Sequence, residues 1–367
     1  MRPFLSLCCV LLAAGLAQSA DADAHAVGPT PALVVRSGPT RILVERLPDR
    51  QDLNFELFVD NPGALAMELV SIEVSAFDAS GRLLLRRLLD GNGVRPSIQT
   101  LPQRKAGPGE TLTLFNPFAS FAPGLDLARL DYRLAFDTGA TDAAPLEATL
   151  SVHPVAFSAA NRLRFPLRGR AWNYDGHDAL AHHRRFDYSF APIAALGFHS
   201  NFMRYAADFV PVAADGRAHP DGRDANADWI GFGADVLSVA DGVVVAASDG
   251  APDDRKFDQD KLRDTPMVLF GNHVVIDHGH GEFSVYGHLQ QGSVQVRVGN
   301  RVRAGAPIGR IGASGSAMFP HLHFQLQDGP TLAAEGLPTL FDGLRDQAGT
   351  LLPAGTVVDT GRIVEAR

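Results

Sequence analysis

Cysteine is almost absent from the sequence. The 367-residue chain has two cysteines, Cys8 and Cys9, and both lie in the first apolar segment. This segment has a charged start and a 13-residue apolar run over residues 4–16. A membrane span needs about 20 apolar residues, so the run is typical of a secretory signal instead. With residues 1–22 removed as a signal peptide, the mature protein has no cysteine, which excludes disulfides and thiolate metal ligands.

Excess positive charge and long apolar runs are also missing. The chain has 33 Lys and Arg against 41 Asp and Glu, for a formal net charge of −8. Nucleic acids and anionic membranes bind basic surfaces, so this composition argues against both partners. Beyond residue 22 no apolar stretch approaches membrane-spanning length. We therefore expect an exported protein, periplasmic or secreted, with no membrane span. The sequence also has no His-Glu-x-x-His motif, which excludes a zincin-type site on a helix.

Residues 25–157 are predicted to form an antiparallel β-sandwich. Short β-rich runs alternate there with turn clusters such as residues 60–63. This region has no cluster of catalytic residue types, so a structural or docking role is the default. The predicted strands cover residues 41–45, 54–59, 69–77, 83–88, 111–115, 130–136 and 148–152.

Residues 159–367 are predicted to form a second domain of mainly antiparallel β-sheet, so the expected fold class is all-β. Two β runs within residues 236–247 are joined by Asp241-Gly242, and Asp-Gly is among the strongest short signals for a hairpin. Further strands are expected at residues 273–277, 283–289, 294–298 and 307–311.

The histidines of this second region fall in and beside its predicted strands. Residues 320–326 form a predicted strand in which His321 and His323 share one face, because side chains two apart point the same way. Two neighbouring imidazoles suit a site where one binds a metal and the other handles protons. By the same rule Tyr286 and His288 share a face of another strand, where Tyr286 either donates a hydrogen bond or packs.

A carboxylate and two further histidines lie upstream. Asp208 stands in the apolar run 205–212, where an ionised side chain needs either a metal or a partner such as Arg204. His182 and His183 are adjacent and point to opposite faces of an extended chain. At most one of them can be a ligand.

Taken as an ordered set, these motifs resemble the LytM/lysostaphin-type zinc metallopeptidases, which cut peptidoglycan cross-bridges. The resemblance runs from about Arg170 to Leu344. It rests on residues 205–209, 241–242, 271–279, 286–289, 292–294, 299–312 and 314–324.

The resemblance implies a bound Zn²⁺ and roles for four residues. Asp208 and His323 match the family's metal ligands, and His288 and His321 match its two catalytic histidines. The fold it implies for residues 159–367 is the LytM-type peptidase domain.

The chain departs from the family at one ligand. Members carry a histidine four residues before the aspartate, where this chain has Arg204. We expect the replacement to be His183, because its His-Arg-Arg context resembles that of relatives with the same departure. His199 is the competing choice and Asn201 a weaker one, since an amide oxygen is a poor zinc ligand.

These assignments predict a zinc metalloendopeptidase that hydrolyses peptide stems or cross-bridges of peptidoglycan. The alternative is a catalytically inactive module that binds and activates a cell-wall amidase, because Arg204 replaces a ligand. The β-sandwich is expected to be dispensable for the chemistry, since no assigned group precedes His183. Three roles stay open for it, namely covering the active-site groove, binding glycan or recruiting a protein partner.

Overall fold

The computed structural model describes residues 32–141 and 144–367. The expected signal peptide at residues 1–22 lies outside the described residues. Within them the regular secondary structure is almost entirely β-strand, which confirms the predicted all-β fold class. Across these two ranges, no helix has the length and apolar character that crossing a membrane requires.

The strands before residue 157 form three small sheets in the described part of the chain. They are β1 (Val34–Gly38), β2 (Leu43–Arg46), β3 (Gln51–Leu53), β4 (Glu56–Asp60), β5 (Met67–Phe77), β6 (Leu83–Leu89), β7 (Lys105–Ala106), β8 (Thr111–Phe115), β9 (Ser120–Phe121), β10 (Arg129–Asp137), β11 (Leu146–Val152) and β12 (Val155–Ala156). The sheet orders are β1-β4-β8, β11-β10-β5-β6 with β7 beside β5, and β12-β2-β3-β9. All seven strands predicted here are present, with their ends shifted by a few residues at most.

Alternate positions of these strands face a common apolar core. Along β10 the even-numbered residues, from Leu130 to Phe136, are buried and the residues between them are more exposed. This is the two-residue repeat of a strand with one solvated face. Apolar side chains from β4, β5, β8 and β10 meet in the same buried cluster.

The rest of the chain is organised around one large sheet. Its strands and their short neighbours are β13 (Leu163–Arg164), β14 (Gly169–Asp175), β15 (Ala207–Pro211), β16 (Asp235–Leu237), β17 (Gly242–Ser248), β18 (Asn272–Asp277), β19 (Phe283–Leu289), β20 (Arg301–Val302), β21 (Pro307–Arg310), β22 (Leu322–Gln327), β23 (Gly336–Leu337), β24 (Phe341–Asp342) and β25 (Ile363–Ala366). The order of the large sheet is β20-β17-β18-β19-β22-β15-β14-β25, with β23 beside β22, and its pairs are antiparallel.

Helices are short throughout the described residues. The α-helix α1 covers Ala191–Ala194, and the 3₁₀ helices cover Ser97–Thr100, Asn226–Asp228, Gln259–Lys261 and Pro266–Phe270. The segment between β14 and β15, which carries α1, is therefore mostly turns.

Strand β22 sets the register of the site. It lies between β19 and β15, and its His323 pairs with Gly287 on one side and Asp208 on the other. Residues opposite each other on neighbouring strands project from the same face, so Asp208 and His323 meet on one side of the sheet. The opposite face of this strand is apolar, and its members are fully buried: Leu322, Phe324 and Leu326.

The predicted hairpin at Asp241-Gly242 is wrong. β16 pairs with β21, whereas β17 pairs with β18 and β20, so the strands that flank this turn belong to different sheets. The Asp241 carboxylate accepts a hydrogen bond from the Ala304 amide at 2.8 Å, which ties the turn to a distant loop. A dipeptide reports only local geometry, and non-local packing decides the pairing. The expected strand at residues 294–298 is also absent.

We predict that Phe324→Ala destabilises the fold strongly. Phe324 packs against the rings of Tyr286 and Phe341, with centroids 5.3 and 5.6 Å away. Truncating a fully buried phenylalanine leaves a cavity that costs about 3–5 kcal/mol, and urea unfolding of the metal-free protein measures it. Phe190, which is 59% exposed, supplies the control. Phe190→Ala should change the free energy of unfolding by about 0.5 kcal/mol or less, and equal effects of the two variants would contradict this description of the core.

Candidate metal centre

Asp208 lies at the centre of a buried group of imidazoles. Three ring nitrogens approach its Oδ1, namely Nδ1 of His323 at 3.0 Å, Nε2 of His321 at 3.4 Å and Nε2 of His183 at 3.5 Å. Each of these residues is buried. Burial opposes the charge of the carboxyl, but the neighbouring imidazoles, above all His183, outweigh it and hold the pKa of Asp208 well below its usual value. The group is therefore ionised.

His183 enters this cluster from the irregular segment between β14 and β15. Its Nδ1 donates a hydrogen bond to the carbonyl oxygen of Gly176 at 3.1 Å, which leaves the lone pair on the Nε2 that faces Asp208. Burial lowers the pKa of the imidazole to about 3. The ring is thus neutral at ordinary pH, and Nε2 can donate its lone pair to a metal.

A chain of two buried glutamines orients His323. The amide group of Gln327 donates to the carbonyl oxygens of Gly329 and Thr331, at 2.6 and 3.0 Å, and a carbonyl can only accept. The direction of the chain follows, because Gln325 then donates to Gln327 and its own oxygen accepts from Nε2 of His323 at 2.9 Å. With the proton on Nε2, the lone pair of His323 is on Nδ1 and faces Asp208.

These two glutamines were not predicted as part of the site from the sequence. The sequence could have indicated their role, because the two-residue repeat of a strand places positions 321, 323, 325 and 327 on one face. The side chains of Gln325 and Gln327 are fully buried, with 0% of their surface exposed to solvent. Buried amides on the same face as the histidines had to be bonded to something.

His288 and His321 form a pair beside the cluster, with ring centroids 4.8 Å apart. Each ring is fixed through Nδ1, which donates to the carbonyl oxygen of Ser314 in His288 and of Phe319 in His321, at 2.8 and 2.7 Å. Burial lowers the pKa of His288 well below its usual value, and the nearby His321 lowers it further. Burial also opposes protonation of His321, but the Asp208 carboxylate outweighs it and raises the pKa.

The prediction that Tyr286 and His288 share a face is wrong. The Tyr286 hydroxyl lies in the core, where it accepts from the Val239 amide at 2.9 Å and bonds to Ser284 at 3.1 Å. His288 has a φ of 60°, in the left-handed region that non-glycine residues rarely adopt. This conformation breaks the alternation of the strand and turns the imidazole to the Asp208 side. Such backbone strain is concentrated at functional sites.

The structure separates the alternatives for the third ligand. His199 is exposed and is not part of the His183, Asp208 and His323 group. Asn201 donates its amide hydrogens to the carbonyl oxygens of His183 and Arg184, both at 3.0 Å. Arg204 does not pair with Asp208, since its guanidinium binds Glu56 and Glu335. His183 is the candidate that meets Asp208.

The donor set suits zinc. One ligand atom from each of His183, Asp208 and His323 lies within 4.8 Å of the others. Two imidazoles and a carboxylate are the three-residue ligand type of catalytic zinc sites, which keep one coordination position open. Since both imidazole tautomers leave the lone pair on the atom that faces the carboxylate, the residues present fit the ion.

Comparison with known proteins finds a related family over part of the chain. Residues 227–333 match the model of Peptidase family M23, which confirms the resemblance stated from the sequence. The matched range includes His288, His321 and His323 and begins after Asp208.

Three curated relatives match shorter stretches of the chain. The cell division protein DipM of Caulobacter vibrioides is 31% identical over 106 residues, which are 29% of this chain and 14% of that protein. The murein hydrolase activator EnvC of Escherichia coli is 37% identical over 86 residues, or 23% and 20% of the two chains. The peptidoglycan DD-endopeptidase ShyC of Vibrio cholerae is 30% identical over 127 residues, or 34% and 26%. The matches thus span about a quarter or less of these relatives.

Solved structures similar to the chain include the catalytic domain of lysostaphin from Staphylococcus simulans. It is 23% identical, with a TM-score of 0.22, and the match covers 33% of this chain and 86% of that one. A zinc-containing peptidase from Vibrio cholerae is 17% identical, with a TM-score of 0.20 and coverage of 60% and 83%.

We predict one zinc ion per chain and its loss in His183→Ala, because that variant removes one of three donors. Zinc content after reconstitution at neutral pH and removal of free metal measures this. His199→Ala removes an exposed imidazole of the same type and should keep the full zinc content. Retention in His183→Ala would show that another residue supplies the third donor, and loss in His199→Ala alone would reverse the assignment.

Proposed function

We propose that this protein is an exported zinc metalloendopeptidase that hydrolyses the peptide cross-links of peptidoglycan. The observation that carries the proposal is the buried His183–Asp208–His323 donor set with the His288–His321 pair against it. The match to Peptidase family M23 supports peptide-bond hydrolysis as the reaction. The similarity to ShyC, a peptidoglycan DD-endopeptidase, supports peptidoglycan as the substrate.

Three residues would hold the metal. Nε2 of His183 and Nδ1 of His323 lie 3.5 and 3.0 Å from Oδ1 of Asp208, close enough for the three residues to share one ion. When bound there, zinc acts as a Lewis acid that activates water and polarises the scissile carbonyl. Phe270 stacks on the His323 ring with centroids 4.7 Å apart and keeps water from that side.

The two paired histidines would move the protons. Each donates its Nδ1 hydrogen to a backbone carbonyl, and so each presents Nε2 for exchange with the substrate. The free lone pair on Nε2 of His288 suits it to take the proton of the attacking water. Nε2 of His321 faces the Asp208 carboxylate, which favours a proton on that atom. That proton can stabilise the developing oxyanion and then pass to the leaving amine.

Aromatic side chains beside His321 would form a wall of the substrate groove. The Phe319 ring lies 5.2 Å from His321, and Trp229 stacks on Phe319 with centroids 4.8 Å apart. Tyr174 meets the same ring edge-on at 4.8 Å. These three aromatic residues are partly exposed. Rings of this kind give an extended peptide a rigid surface at a small cost in conformational entropy.

The proposal also includes export of the protein from the cytoplasm and the partners that it binds after export. Peptidoglycan lies outside the cytoplasm, and residues 1–22 have the pattern of a secretory signal. The substrate is the peptide stem or cross-bridge, and a protein partner can dock through the N-terminal β-rich region.

The EnvC match supports a second candidate, an inactive module that activates a cell-wall amidase. Against it, the three donors and both paired histidines are all present in this chain. The two functions separate in one assay on cross-linked muropeptides. New amine and carboxyl ends from the purified protein alone indicate an endopeptidase, whereas amide hydrolysis only when an amidase is added indicates an activator.

We predict different losses for the histidines of the site. His323→Ala should lose zinc, together with the stability that metal binding adds to the fold. His321→Ala and His288→Ala should keep zinc and lose turnover by about 10²–10⁴-fold, the usual contribution of a general acid or base. The double variant should lose less than the product of the two, because such groups act as a unit.

Zinc content and turnover of the single variants decide these roles. Loss of zinc from His321→Ala with retention in His323→Ala would show that the roles are reversed. Wild-type turnover in both His288→Ala and His321→Ala would remove the proposed proton transfer.

A further inference from the structure

Arg204, which stands where the family has a ligand histidine, forms a buried ion pair with the N-terminal part of the chain. Arg204 is fully buried, and its two terminal nitrogens donate to the two carboxylate oxygens of Glu56 at 2.5 and 2.9 Å. Glu56 is the first residue of β4 in the N-terminal part and is 1% exposed. Nε of Arg204 donates to Glu335 at 2.5 Å. The residue four positions before Asp208 is thus held by the N-terminal part of the protein.

The residue next to His183 is held in the same way. Arg184 is 3% exposed, and its Nη2 donates to the carbonyl oxygens of Leu53 and Asn116 at 3.3 and 3.1 Å. Both carbonyls belong to the N-terminal part. No strand pairing holds residues 176–206, so the position of His183 depends on side-chain contacts of this kind.

Two asparagines connect these contacts to the metal ligands. The side chain of Asn201 donates to the backbone carbonyl oxygens of His183 and Arg184, and the backbone carbonyl oxygen of Asn201 accepts from the backbone N–H of Arg204 at 3.1 Å. Asn54, just before β4, donates to the carbonyl oxygen of Arg204 at 2.8 Å. The segments that carry His183 and Asp208 therefore share one buried network with the N-terminal part.

We infer that the N-terminal β-rich part is a structural component of the metal centre, in which Glu56 and the carbonyl oxygens of Leu53 and Asn116 hold Arg204 and Arg184 and thereby position His183 and Asp208. Arg184, Arg204 and Glu56 are positioning residues, and the inference rests on the proposed zinc site. It replaces the expectation that residues 25–157 are dispensable for the chemistry.

The network should matter more for His183 than for Asp208. Asp208 is also fixed by the pairing of β15 with β22, whereas His183 lies on a segment of turns. A ligand on such a segment needs support from its neighbours to stay within about 0.5 Å of its working position. Loss of a supporting contact of this kind typically weakens metal affinity about 10- to 100-fold.

The test uses the full chain with its metal ligands intact. Arg184→Met keeps much of the side-chain volume and removes the hydrogen bonds to Leu53 and Asn116. Glu56→Gln removes the charge of the carboxylate and so weakens the ion pair with Arg204. Zinc affinity is measured by competition with a chelator, well below the melting temperature of each metal-free variant. The visible spectrum of the cobalt-substituted protein reports ligand geometry, which a merely structural role would leave unchanged.

We expect Arg184→Met to weaken zinc binding by about 10- to 100-fold and to alter the cobalt spectrum, with a smaller loss in Glu56→Gln. Arg50→Gln is the control. Arg50 joins the N-terminal part to Asp359 at 2.6 Å, and its side-chain hydrogen bonds go to Asp49, Asp52 and Asp359 rather than to Arg184, Arg204 or Glu56. The zinc affinity of Arg50→Gln should therefore stay within about threefold of wild type.

Each outcome bears on a different claim. Wild-type zinc affinity and cobalt spectra in Arg184→Met and Glu56→Gln would overturn the inference and leave the proposed function standing. Failure of the wild-type chain to bind zinc would overturn the proposed function first. If Glu56→Gln does not fold, Arg184→Met decides alone. If Arg50→Gln weakens zinc binding as much as Arg184→Met does, the effect comes from general loosening of the two parts and the inference is wrong.

Discussion

The structure depends on keeping one carboxylate charged while it is buried. Asp208 stands in an apolar sheet, where an isolated charge would be strongly unfavourable. The surrounding imidazoles hold the pKa of Asp208 well below its usual value, and His321, whose Nε2 favours a proton, faces its Oδ1. Each imidazole must in turn be fixed through its other nitrogen, which accounts for the buried hydrogen bonds from these rings to Gly176, Phe319 and Gln325. The same arrangement leaves lone pairs on His183 and His323 directed at the carboxylate, as a metal requires.

The sheet fixes the relative positions of the residues in this cluster. Strand pairing places Asp208 opposite His323 and Gly287 beside them, and Phe270 occupies the space that the missing side chain of Gly287 leaves over the His323 ring. A Cβ on Gly287 would meet Phe270 atoms at 3.1 to 3.3 Å. On the opposite face, the apolar residues of β22 anchor the strand in the main core. One strand thus connects the stability of the core with the geometry of the site.

Much of this could be predicted from local sequence patterns. The two-residue repeat located most strands and the shared face of His321 and His323, and the same repeat would have located Gln325. The predictions that were wrong concern features that depend on backbone conformation or on pairing between residues far apart in sequence. The positive φ of His288 reversed its direction relative to Tyr286, and Asp241-Gly242 joined strands of different sheets. Likewise the sequence around Arg204 holds no sign of Glu56, whose contact with it spans 148 positions.

The central claim is that His183, Asp208 and His323 hold a zinc ion. Anomalous diffraction at the zinc absorption edge, from crystals of the zinc-reconstituted protein, tests it most directly. We predict a single strong peak within about 2.0–2.2 Å of Nε2 of His183, a carboxylate oxygen of Asp208 and Nδ1 of His323. A peak bound by His288 or His321 in place of His183, or a peak far from Asp208, would contradict it.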